Sequence, residues 1–114
     1  MKSKKRIRPI RLATVFSGIG AVEFALRRLR VPSEIVFACD NGEIEIEYDR
    51  KDELRKIHAF KSPRQKAEYV EWLYKSKSRR RNYVRDSYLA NYDMSRGVFF
   101  PDICLLDGRD FKNQ

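Results

Sequence analysis

A chain of 114 residues has room for one small domain and not for two, because a much smaller unit cannot bury enough surface to fold. Charged residues make up 36% of it and apolar residues 42%, a mixture too apolar for a disordered tail and too polar for a membrane protein. The formal net charge of +9 and an isoelectric point near 9.8 favour a polyanionic partner, since lysines and arginines gathered on one face gain affinity by releasing counterions from phosphates.

The chain opens on a basic arm, residues 1–11, with six basic side chains and no acid. It reads either as a solvated tail or as a phosphate contact. The apolar stretch behind it is short and interrupted by Ser17 and two glycines, so it is neither the core of a secretory signal nor a membrane span. A cytoplasmic compartment is the expectation. The remainder, 12–114, reads as a single α/β unit.

Leu12 to Phe16, with β-branched Thr14 and Val15, is too short for a helix and predicts a buried strand. Ser17-Gly18-Ile19-Gly20 turns the chain. From Ala21 the apolar positions Val22, Phe24, Ala25, Leu26 and Leu29 recur at helical spacing. Arg27, Arg28 and Arg30 take the other side and the last turn, where cations suit the helix dipole, and Pro32 ends the helix. Glu34 to Asp40 encloses the apolar run Ile35 to Cys39 and predicts a second buried strand ending on an acid. Strand, helix and strand within about thirty residues make a βαβ unit, the right-handed crossover between parallel strands.

Beyond Gly42 the rhythm changes. Glu43 to Tyr48 alternates as a half-exposed strand does, and also carries acids where a helix N-terminus wants them, so the pattern fits both. Ser62-Pro63 predicts a helix start, after which Ala67, Val70, Leu73 and Tyr74 form one apolar stripe with Tyr69 and Trp72 at its edge. That stripe is a core face. Lys75 to Arg85 then holds six basic residues and no acid, a density that demands either solvent or a phosphate contact. Tyr69, Trp72, Tyr74 and Tyr83 flank this run and would suit base stacking if a folded platform presented them.

Tyr83 to Tyr92 predicts a further helix with Val84, Tyr88 and Leu89 on one face. Pro101 opens a third strand, Asp102 to Leu106, which Asp107-Gly108 closes in a turn before a polar tail, 109–114. Cys39 and Cys104 each lie in an apolar run, have no metal-ligand spacing to each other or to His58, and read as buried small hydrophobes.

A glycine turn between a strand and a helix lets the backbone approach a ligand and exposes the helix's first N–H groups to it. Gly18 and Gly20 fill that role, but a lone Gly-x-Gly without the third glycine of a dinucleotide loop is weak evidence by itself. Asp40 lies twenty residues beyond Gly20 at the end of the second strand, which in a doubly wound sheet sets an acid beside the ligand crevice, able to accept both hydroxyls of a ribose. The alternative is an ordinary strand-ending or capping acid. Asp102, near the third strand's start, can equally cap a neighbouring loop.

These fragments also resemble, in order, the motif blocks of DNA cytosine-5 methyltransferases. Phe16-Ser17-Gly18-Ile19-Gly20 followed by Glu23 resembles the first block, the S-adenosylmethionine loop. Asp40 falls at that family's ribose-binding acid and Asn41 at the residue bordering the adenine. Tyr88-Leu89-Ala90-Asn91-Tyr92 resembles its Tyr-x-x-Asn segment, and Asp102-Ile103 its Asp-Ile pair, whose acid contacts the adenine amino group. The resemblance runs from about Leu12 to Gly108 and is broken by a basic helical insertion at about 43–81. Ala21 stands where the family usually has glycine and Asp40 where it more often has Glu, both mild changes.

The resemblance implies a partial Rossmann-like methyltransferase fold, parallel strands with helices, whose cofactor is S-adenosylmethionine and whose partner is double-stranded DNA, as in restriction-modification. The cofactor residues it implies are Phe16, Ser17, Gly18, Ile19, Gly20, Asp40, Asn41, Asp102 and Ile103. The family's Pro-Cys nucleophile belongs on the strand after Gln114, so the expectation is an N-terminal, cofactor-binding portion with no catalytic residue, either a truncated product, a fragment or one half of a split enzyme whose second chain supplies the catalytic half. Neither Cys39 nor Cys104 substitutes, because attack on cytosine C6 needs an activated thiolate facing a flipped-out base. The competing reading is a small basic nucleic-acid-binding module in which Gly18 and Gly20 merely shape a turn. It expects no cofactor binding.

Overall fold

The computed structural model describes residues 8–18, 20–107 and 109. Its three strands, β1 (Ile10–Val15), β2 (Ser33–Cys39) and β3 (Val98–Phe100), form one open parallel sheet in the order β1-β2-β3. Helix α1 (Ala21–Arg28) connects β1 to β2, while α2 (Arg50–His58), α3 (Pro63–Lys77) and α4 (Tyr83–Asn91) fill the long passage from β2 to β3. A short 3-10 turn, Ile103–Leu105, follows the sheet. No described helix is long and apolar enough to cross a membrane.

Strand β2 is the spine of the core, with Ile35 to Cys39 buried throughout. A bulge organises it. Leu12 of β1 pairs with Ile35 but Ala13 pairs with Phe37, leaving Val36 as an extra residue. Val36 and Phe37 therefore join Cys39 on one face of the sheet, while Ile35 and Ala38 share the other. Gly97 sits against this bulge, where a Cβ would lie 2.4 Å from the Ile35 carbonyl oxygen. Only glycine fits there.

On the first face, α2 and α3 close over the sheet with Ile57, Ala67, Val70 and Leu73 packed against Phe37, Phe100 and Leu105. The start of α3 is fixed by a capping box, in which Ser62 Oγ accepts from the Gln65 N–H at 3.1 Å and Gln65 reaches back to the Ser62 N–H. On the second face α4 places Tyr88, fully buried, against Phe99 and Tyr92 at ring separations of 5.5 and 4.9 Å. Helix α1 is tied to α4, since Arg27 donates to the Asn91 carbonyl at 2.7 Å and lies over the Tyr92 ring.

Four expectations need correction. The third strand is Val98–Phe100, whereas Asp102 to Leu106 forms the 3-10 turn, because Pro101 has no N–H to continue the ladder and Asp102 Oδ1 accepts the Cys104 N–H at 2.8 Å. The turn's side chains follow a period of three rather than two, so Leu105 is buried while Ile103 is exposed, and so is Cys104, against the expectation of a buried cysteine. Strand β1 is largely exposed rather than buried, as it is an edge strand with its outer side unpaired among the described residues. The segment 43–49 is neither strand nor helix. Asn41 Oδ1 accepts the Glu43 N–H at 2.9 Å, Glu43 takes a left-handed φ of 60°, and the helix begins only at Arg50 behind its cap Asp49.

Candidate cofactor-binding site

In a parallel sheet the segments leaving the carboxyl ends of the strands meet along one edge, and ligands of such sheets bind there. Here those segments are 16–20 after β1, Asp40 to Gly42 after β2, and Pro101 to Ile103 after β3. They contain every cofactor residue expected from the sequence. Ile19 and the turn glycine Gly108 lie outside the described residues, as do 1–7 of the basic arm and 110–114 of the tail.

The loop after β1 holds its shape through backbone geometry and Ser17. Phe16, Gly18 and Gly20 all take positive φ, of 52°, 56° and 89°. Ser17 stitches the loop to β2: its N–H donates to the Cys39 carbonyl at 2.8 Å, and its Oγ accepts the Cys39 N–H at 2.9 Å. Gly20 is pinned by Tyr92, whose hydroxyl donates to the Gly20 carbonyl at 2.9 Å and whose ring would lie 2.3 Å from any Cβ at that position. No side chain among the described residues caps the start of α1. Its first-turn N–H groups are therefore left for solvent or an acceptor on a ligand.

Asp40 joins two of the three segments. Its Oδ2 accepts the Gly18 N–H and its Oδ1 the Gly42 N–H, each at 2.8 Å. A carboxylate offers about four acceptor sites, so lone pairs remain for ligand hydroxyls. Asn41 beside it is exposed, and its side chain shapes the local turn, donating to the Ile44 carbonyl at 3.2 Å.

Asp102 occupies a different position. It is buried, and its Oδ2 accepts hydroxyls from Tyr48 at 2.6 Å and Tyr74 at 2.8 Å while Oδ1 accepts the Cys104 N–H. The sequence alternative, an acid capping a neighbouring loop, is thus met, and the carboxylate additionally anchors the long segment between β2 and β3. Ile103 stands next to it at the surface. Burial, then the Asp102 carboxylate, pushes both phenols well above the ordinary tyrosine range.

Cys39 lies beneath the site and is buried; burial first, then the Asp102 and Asp40 carboxylates, pushes its thiol up to about 12. At neutral pH it is a thiol and not a nucleophile. No group of three or more His, Cys, Asp or Glu able to hold a metal occurs among the described residues.

Sequence reasoning singled out Asp40 and the glycines but not the residues that fix them. Asn82 Nδ2 donates to the Asp40 carbonyl at 3.1 Å, and its Oδ1 both caps α4 through the Arg85 N–H and presses against Gly42. For the Asp102 partners a signal was available, a tyrosine rather than a phenylalanine at apolar-stripe position 74, since a half-buried phenol needs a partner. No protein-family model, curated protein or solved structure matches the chain.

Proposed function

We propose that this chain is the cofactor-binding portion of a DNA cytosine-5 methyltransferase, with a partial Rossmann-like fold that receives S-adenosylmethionine along the carboxyl edge of its sheet. The observation that carries this reading is the Gly18 N–H to Asp40 contact, which joins the glycine loop to the β2 acid across 22 residues of sequence. Asp40 has acceptor capacity left for the ribose hydroxyls, and the uncapped start of α1 offers donors to the cofactor's carboxylate. Asn41 and Ile103 flank the adenine. Asp102 keeps one lone pair on Oδ1 for the adenine amino group, besides holding Tyr48 and Tyr74.

The 114 residues include no Pro-Cys pair, and Cys39 is buried and protonated, so this chain alone does not transfer methyl groups. The nucleophile comes from outside these 114 residues, and a second chain is one source of it. The exposed apolar side chains of Val15, Phe16, Val22, Phe24 and Leu29, together with an edge of β1 that no described strand pairs, support that partner.

Calorimetric titration with S-adenosylhomocysteine tests the cofactor reading. Binding by the natural chain and its loss in a folded Asp40→Ala variant are expected. The same binding in both would refute the assignment. A second reading, a nucleic-acid-binding module without a cofactor, is favoured by the fact that both candidate carboxylates already accept protein hydrogen bonds. It requires that no S-adenosylhomocysteine binds at all.

A further inference from the structure

The basic run from Lys75 to Arg85 is not an extended solvated tail. It leaves the last turn of α3, crosses through Ser78 to Asn82, and enters α4. The link is held at both ends: the Ser78 N–H donates to the Tyr74 carbonyl at 2.9 Å, Ser78 Oγ accepts the Arg80 N–H at 3.1 Å, and Asn82 grips the Asp40 carbonyl. Arginines on this link are therefore fixed one residue contact away from the candidate cofactor acid.

Behind the link lies a cleft of about 430 Å³ lined by Lys75, Arg79, Arg80, Arg81 and Arg85, with Ile44 and Pro101 among its apolar walls. Two carboxylates, Glu71 and Asp86, also line it. Glu71 takes Lys75 at 3.1 Å and Arg85 at 3.2 Å, and Asp86 takes Arg81. Arg79 and Arg80 pair with no carboxylate among the described residues; the Arg80 guanidinium makes only a long contact, 3.4 Å, to the Glu43 carbonyl. Five cations thus face two acids, and the two unneutralised ones sit together at the crest.

A second concavity of about 300 Å³ is lined again by Arg79, Arg80 and Arg81, with Gly42 and Tyr83. The arginine link is thus a ridge shared by two hollows. A single small anion would need one converging pocket, whereas adjacent guanidinium groups without a carboxylate partner, shared by two hollows, fit successive phosphates of a backbone. The positive end of the α4 dipole adds to the same field.

We infer that the ridge Arg79–Arg81 is a contact for the sugar-phosphate backbone of double-stranded DNA, set beside the cofactor edge by the Asn82–Asp40 clasp. The choice of DNA as the polyanion rests on the methyltransferase reading above; the ridge itself does not. Its arginines position the duplex and carry no sequence information.

The test is fluorescence anisotropy of the whole chain with a short labelled duplex over a salt series. Replacing both crest residues, Arg79→Gln with Arg80→Gln, is expected to weaken binding roughly tenfold and to lower the log-affinity against log-salt slope by about two, near 0.9 per lost phosphate contact. The control Lys51→Gln with Arg55→Gln removes the same charge from α2 and should leave the slope within about half a unit. A wild-type slope in the crest variant, an equal loss in the control, no duplex binding by the natural chain, or tighter binding to single-stranded RNA would each overturn the inference. S-adenosylhomocysteine titration of the crest variant separates the two readings. Cofactor bound with no arginine-dependent DNA binding defeats the ridge alone, and arginine-dependent DNA binding with no cofactor bound by the natural chain defeats the methyltransferase reading alone.

Discussion

At the β3 edge, α2 and α3 close over Phe37, Cys39 and Phe100, and the Asp102 carboxylate ties Tyr48 and Tyr74 to the end of the sheet. At the β1 edge, α1 buries Glu23 but leaves Val22, Phe24 and Leu29 about half exposed or more, beside an exposed Phe16. The glycine loop belongs to the second, thinly packed region, while the acid it meets, Asp40, is carried at the end of the buried β2. Loops that must admit a ligand are drawn from the less stable end of a structure, and the elements that aim them from the more stable end.

The largest expected contrast is between two leucines. Leu73→Ala on α3 removes a buried core side chain and should cost about 2–5 kcal/mol, whereas Leu29→Ala, 73% exposed at the end of α1, should stay within about 0.5 kcal/mol. Urea unfolding followed by circular dichroism measures both, and equal losses would erase the distinction between the two edges. A smaller effect is expected at Asp102. Its replacement by Ala leaves two phenol hydroxyls and one N–H without their acceptor, a loss of about 1–3 kcal/mol. Adding Tyr48→Phe and Tyr74→Phe to that variant should recover part of the loss, and no recovery would show that the phenols do not depend on the carboxylate.

The smallest effect is a dependence on pH. Tyr48 and Tyr74 have folded-state values raised above the ordinary tyrosine value by burial and then by Asp102. Their contribution is complete below the unfolded value of about 10 and is lost as pH rises above it, because the unfolded chain then releases protons that the folded one keeps. Thermal midpoints should fall with rising pH in that alkaline range, and less steeply with both residues changed to Phe. An identical slope in the double variant would place the alkaline sensitivity elsewhere.

Much of the fold is legible because its signals are local. The apolar run of β2, the period of α1, the Ser62-Pro63 start of α3 and the span of α4 each depend on neighbours within a few residues. The third strand is not legible in the same way, because Ile103 to Leu106 and Val98 to Phe100 are both short apolar runs, and what separates them is pairing with Phe37 to Cys39, fixed some sixty residues away. The exposure of β1 was hidden for a similar reason: an apolar run does not say whether a neighbour covers it. At the site, the order of glycine loop and acid was readable, whereas Tyr92 against Gly20 and Asn82 against Gly42 are contacts between distant segments that leave no periodic trace.

The bulge at Val36 also bears on how the chain tolerates insertions and deletions. In a strand, losing one residue normally turns every later side chain to the opposite face. Because Val36 is the unpaired extra residue, its loss would leave Ile35 and Ala38 on one side and Phe37 and Cys39 on the other, as they stand now. Loss of Ala38 would instead rotate Cys39 and, behind it, Asp40 away from the loop whose Gly18 it holds. The aim of the candidate ribose acid is thus set by a residue count, and Val36 is the spare link in that count.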